Sequence, residues 1–145
     1  MKATSNYQPH PNGGGSVSIT AIVAETAYVA KNAFVSGQAR VLDYARIEDH
    51  ASVSENATVR GESCVSGNAK VKGNAYITDN AKVSGNASIL GNSRIGGFAT
   101  VSDNAIIKGT SRVTDTASIS GSAIVRSNAL ISGDTKVDGQ MEVTG

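Results

Sequence analysis

The chain has 145 residues, 39% of them hydrophobic, and thirteen basic against twelve acidic side chains give a formal charge of +1. That balance excludes a strong global attraction to nucleic acid or acidic membranes. The lack of Trp, with only two Phe and four Tyr, excludes a core of ordinary globular make-up, and the single Cys64 excludes an internal disulfide or a cysteine-rich metal site.

The chain opens on a segment unlike the rest, residues 1–15. Met1-Lys2-Ala3-Thr4-Ser5-Asn6-Tyr7 does not lead into the apolar core of an export signal. No apolar run anywhere approaches the roughly 20 residues that span a bilayer, so membrane insertion is not expected. Pro9, Pro11 and the run Gly13-Gly14-Gly15 break any periodicity. This segment is expected to fold over the first part of the repeat as a cap, or to extend to a neighbour as an arm.

From residue 16 to residue 145 one six-residue pattern runs without interruption. Starting at Val17 and stepping by six, 22 consecutive slots hold Val or Ile, ending at Val143. Four residues after each, the slot is Ala in 16 of 21 cases; Ser63, Ser93, Ser111, Thr135 and Met141 are the exceptions. The segment Val83-Ser84-Gly85-Asn86-Ala87-Ser88-Ile89 shows the logic. The β-branched residue suits a short strand and points inward, its neighbours face solvent, and Gly or Asp followed by Asn tolerates the positive φ of a sharp corner. The small residue after the corner lets the next strand close inward.

Three hexads in succession predict one triangular coil, hence an all-β solenoid of parallel strands with about seven coils. One interior column then runs Val17, Val35, Val53, Val71, Ile89, Ile107, Val125, Val143. Coils at the strand spacing of about 4.8 Å give a rod on the order of 34 Å long. Corner Asn residues one coil apart (Asn56, Asn74, Asn92 and Asn68, Asn86, Asn104) are expected to stack and to hydrogen-bond through their amides.

With an aliphatic first slot, a small fifth slot and Gly/Asn between, as in Gly67-Asn68-Ala69-Lys70-Val71, residues 16–145 resemble the hexapeptide-repeat, left-handed parallel β-helix proteins. The left hand is implied by that resemblance alone. The family includes acyltransferases, γ-class carbonic anhydrases and non-enzymatic repeats of bacterial and phage proteins, and the likeness is nearest to the last. It implies an extracellular, cell-surface or virion-surface setting; without an export signal in the sequence, the cytoplasm stays open.

Candidate chemistry is sparse. His50 is the one histidine within the repeat, at a corner where Asn is usual, with no loop to enclose a substrate. His10 and His50 are too few for a three-histidine zinc site. Asp43, Asp79 and Asp115 share a corner column but alternate with Gly61 and Gly97, which sets the carboxylates about 9–10 Å apart. Cys64 points outward without a catalytic partner. Only Thr100/Ser102 and Ser118/Ser120 approach the paired-hydroxyl face that could match ice. Lys70, Lys72, Lys108 and Arg126 on one face, and Arg94 and Arg112 on another, lack the interleaved aromatics that stack bases and read as solvated charge. No catalytic residue, cofactor, metal, nucleic acid or small-molecule substrate is expected, and the chain is expected not to be an enzyme.

The ends draw more attention. A solenoid exposes unpaired backbone only there, and the repeat runs to Gly145 with Met141 placed to plug the last coil. Tyr7, Pro9, Pro11, Val17, Met141 and Val143 are the expected end-to-end interface, through which copies associate into a fibre. The alternatives are a rigid spacer, display or ligand-binding module of a larger bacterial or phage surface protein, binding through a lateral patch of Leu90, Ile106 and Ile124, and an acyltransferase relative without a recognisable active site.

Overall fold

The structure, a computed structural model, describes residues 6–145. The first five residues of the expected cap or arm lie outside the described residues. The described chain forms twenty-three short strands and no helix. Apart from Tyr7–Pro9, the strands recur every six residues from Ser16–Ser18 to Glu142–Thr144, and most are two residues long. They are short because the hexad allows nothing longer: one residue flanks, one points inward, and the corner comes next.

The strands stack into three faces. The first runs from Ser16–Ser18 through Phe34–Val35 and Ser52–Val53 to Glu142–Thr144, with Tyr7–Pro9 added at its outer edge. The second runs from Ile22–Val23 to Leu130–Ile131, and the third from Tyr28–Val29 to Lys136–Val137. Every repeat strand pairs in parallel with the strand three hexads on, as Val53 does with Val71 and Val71 with Ile89. The result is a β-solenoid of about seven coils, and at the level of fold the resemblance to hexapeptide-repeat β-helices holds.

The interior contains what the hexad put there. Val35, Val53, Val71, Ile89, Ile107 and Val125 are fully buried, whereas Val17 and Val143 at the two ends are only partly covered. Ala fills the remaining space. Ser63, Ser93 and Ser111 replace it without leaving a buried hydroxyl unsatisfied, because each donates to the carbonyl three residues before: Ser63 to Arg60 and Ser111 to Lys108, both at 2.7 Å, and Ser93 to Leu90.

Hydrogen bonding continues past the short strands. In the coil around Val53, the N–H groups of Ser52, Ser54 and Asn56 donate to the Ala69, Val71 and Gly73 carbonyls of the next coil at 2.9–3.0 Å. The corner is thus part of the ladder. Every sixth residue from Gly37 to Gly139 has a positive φ of 55–75°, including Asp43, Asp79 and Asp115. The first coil departs from this: Ile19, Glu25 and Lys31 stand at its corners and none is among the positive-φ residues.

The corner columns also correct one expectation. Among the described residues the stacked Asn side chains do not hydrogen-bond one another. Backbone does that work, Asn56 N–H to Gly73 O at 2.9 Å and Asn74 N–H to Gly91 O at 2.8 Å, and carboxylates add to it. Asp43, Asp79 and Asp115 accept the N–H of Gly61, Gly97 and Gly133, one coil on, at 3.1, 2.9 and 2.8 Å. Asp49, Glu55 and Asp103 do the same to Gly67, Gly73 and Gly121. The Asp/Gly alternation is therefore a bonded pair repeated along the rod. A Cβ on Gly97, at φ 62°, would lie 2.8 Å from the Asp115 backbone nitrogen, so the partner coil is close as well as hydrogen-bonded.

Candidate functional site

The two ends of the rod differ. At the amino-terminal end the segment before the repeat folds back as a roof. Tyr7–Pro9 pairs antiparallel with Ser16–Ser18, and the Tyr7 ring meets Phe34 edge-on at 6.4 Å between centroids. Pro9 has no N–H to offer a further strand, so this edge is blunted. The chain then turns, with His10 N–H on Gly15 O at 2.8 Å, and crosses the first strand of the third face. Gly15 donates to Val29 O at 2.9 Å, Val29 to Asn12 O at 3.1 Å, and the Asn12 amide to Ala27 O at 3.0 Å. Side chains could not follow this path: a Cβ on Gly15 would lie 2.3 Å from Ala30 O.

His10 belongs to this roof. It is 7% exposed, accepts the Asn12 N–H at Nδ1 (3.1 Å) and donates from Nε2 to Ala24 O (3.0 Å). Nδ1 also lies 3.1 Å from the Asn12 carbonyl. Both nitrogens are committed to backbone, which makes His10 a structural clasp. On the second face the roof is incomplete: Ile22–Val23 pairs only inward with Arg40–Val41, and Ile19 and Ile22 are 59% and 54% exposed.

The carboxy-terminal end has no such roof among the described residues. Thr114 and Ser120 donate to Ile131 and Val137 carbonyls at 2.9 Å, but the equivalent N–H groups of Ser132 and Asp138 meet no coil beyond. Met141, expected to plug this coil, is instead 51% exposed. Its slot lies beside the open edge, where no further coil encloses the side chain. Arg126 clamps the last strand through Glu142 at 2.5 Å.

Of the expected interface residues, the structure gathers Tyr7, Pro9, Pro11 and Val17 at one end and Met141 and Val143 at the other. The lateral set divides. Ile106 and Ile124 are strand partners on the first face, whereas Leu90 lies in the opposite flanking column, stacked between Lys72 and Lys108; all three are part-buried. The apolar side chains that protrude most are others, Tyr44, Phe98 and Leu130 at 63–65% exposure.

His50 is exposed at its corner, its backbone N–H held by Gly67 O at 2.9 Å. Cys64 is half-buried beside Glu48, with Sγ 3.5 Å from Oε1. Burial, then the Glu48 charge, pushes its thiol up to about 11, opposite to what a thiolate nucleophile needs. Glu48 also pairs with Arg46 at 2.6 Å, and that guanidinium lies 4.5 Å over the Tyr28 ring. No group of three His, Cys, Asp or Glu among the described residues could hold a metal ion.

The net charge hides how the charges are sorted. Nine of the twelve acids sit at corners, and eleven of the thirteen bases flank strands on the flat faces. The +1 total thus conceals basic faces and acidic edges. The second face is the most one-sided, with Arg40, Arg60, Arg94 and Arg112 beside its strands and no acid in those columns. The signal was present in the sequence, in the phase of each charge within the hexad.

No protein-family model matches the chain, and no curated protein matches it. Among solved structures it is similar to a Bacillus cereus protein described as a "putative acetyltransferase", at 15% identity and a TM-score of 0.34, over 97% of this chain and 80% of that one. This likeness is one of fold alone. The expectation that the chain is not an enzyme is withdrawn, because this similar structure is described as an enzyme; the likeness brings no activity to this chain.

Proposed function

We propose that the chain is a rigid rod that associates with copies of itself end to end, the last coil of one stacking on the first coil of the next. The observation that carries this is the pairing geometry of the last coil. Throughout the rod, N–H groups donate to carbonyls of the following coil, so the donors of the last coil are already aimed along the axis. Val17 and Val143 lie in one column, seven coils apart, so the donor strand of one copy meets the matching strand of the next with little rotation. Such a contact is heterologous and extends into a filament when it does not close.

The roof makes the association conditional. Ala27 and Val29 carbonyls, natural acceptors at the other end, are taken by Asn12 and Gly15, while His10 ties the roof down at Ala24 O. Stacking on the first and third faces therefore requires the segment before residue 16 to lift away. Sedimentation velocity over a concentration series tests this. The full chain is expected to associate as concentration rises, Val143→Lys to abolish association without loss of the β-sheet circular dichroism, and removal of residues 1–15 to strengthen it. A chain that stays monomeric at every concentration, with and without residues 1–15, overturns the proposal.

A further inference from the structure

The second face carries a groove of about 310 Å³ over its later coils, independent of the two ends. Its walls include Arg94 and Arg112, strand partners in adjacent coils. Like charges placed directly opposite on a sheet repel, and neither has a carboxylate within ion-pair distance among the described residues. Arg46, Arg60 and Arg126, by contrast, are each paired, with Glu48, Asp43 and Glu142. Arg94 is steadied instead by the Tyr76 ring, 5.6 Å from its guanidinium carbon.

The rest of the groove is open and mixed, with Ile95, Val113 and the exposed Leu130 as its apolar part. Thr78 and Thr114 line it and their hydroxyls make no hydrogen bond within the described residues, unlike Thr110 and Thr116 at the corners, which donate to the Ser127 and Gly133 carbonyls. Gly96 stands between them in the same column, where other coils of this face carry Leu42 or Arg60, and its missing side chain gives the groove its depth. Asp79 is the one acid in the lining, and its Oδ2 accepts the Gly97 N–H at 2.9 Å.

We propose that this groove is an oxyanion site, in which the guanidinium forks of Arg94 and Arg112 together grip a phosphate or carboxylate group of a small acidic ligand, with Thr78 and Thr114 as further donors. Two adjacent planar forks offer several parallel N–H donors to one planar or tetrahedral oxyanion, and the bound charge relieves their mutual repulsion. This revises the sequence reading of Arg94 and Arg112 as solvated charge.

Isothermal titration at constant ionic strength tests it, with inorganic pyrophosphate as the phosphate probe and malonate as the carboxylate probe. At least one is expected to bind saturably, one per chain, and the responding probe identifies the source of the oxyanion. Arg94→Gln and Arg112→Gln are each expected to weaken binding by roughly tenfold or more, the loss of a charge-assisted hydrogen bond. Gly96→Val is expected to block the site, Asp79→Asn to tighten it by removing the one opposing charge, and Arg40→Gln, on the same face but outside the groove, to leave it unchanged. No saturable binding of either probe, or binding that survives the double change at Arg94 and Arg112, overturns the proposal.

Discussion

Single residues show how little each position is free to vary. At the corners the backbone must enter the left-handed region, and this chain answers with Gly or an acid in every described corner from Gly37 to Gly139 except Ser127. An acid brings a carboxylate for the next coil's N–H, and Gly avoids the conformational cost. Asp115→Ala should therefore fall below Asp115→Gly in urea unfolding by about 1 kcal/mol, because Ala carries the left-handed strain without supplying the bond. Equal stability of the two variants would contradict this. Cys64 makes a second case. Its ordinary value of 9.0 is raised to about 11 in the fold, so the unfolded chain ionises first as the pH rises. The stability due to the neutral thiol is present below pH 9 and declines towards pH 11. Alkylation should accordingly be slow at about pH 8 and quicken on unfolding, since the thiolate is the reactive form. A rate there equal to that of a free thiol would refute the shift.

The strand-and-corner unit is the element, and it was nearly all legible in advance. Two-residue strands leave no doubt about phase, so every inward Val or Ile of the interior columns could be assigned from its slot. Ile89, fully buried in mid-rod, should lose roughly 2–5 kcal/mol on change to Ala, the cost of an unfilled core site. Ser93→Ala should stay within about 1 kcal/mol, because Ala is the usual occupant of that slot and a single net hydrogen bond is worth no more. A larger loss would mean that the hydroxyl bond to Leu90 fixes the corner. The elements that escaped were those without period. The roof of residues 7–15 is written in Pro, Gly and single side chains such as His10 and Asn12, whose carbonyl partners lie 14 and 15 residues away. The Asn columns were legible as columns, but their bonding was not: backbone and neighbouring carboxylates satisfied the corner before the amides were needed.

At the scale of the whole molecule, repetition yields a rod whose stability is a sum over neighbouring coils and whose surface is sorted by phase. Acids collect along the edges and bases on the faces, which a charge total hides and a slot-by-slot count reveals. The groove at Arg94 and Arg112 was beyond that count, since it depends on Gly96 leaving its place empty and on which arginines found carboxylates. The difference between the ends was likewise invisible until the roof was seen, because it turns on which first-coil carbonyls are already occupied. In the proposed reading, association is set against the molecule's own amino-terminal segment.

Negative-stain imaging of the chain without residues 1–15, beside the full chain at the same concentration, puts that opposition to the test. Filaments of end-joined rods are expected, longer and more numerous once the roof is removed. Single rods on the order of 34 Å in both preparations, the length of seven coils at the strand spacing, would contradict end-to-end association.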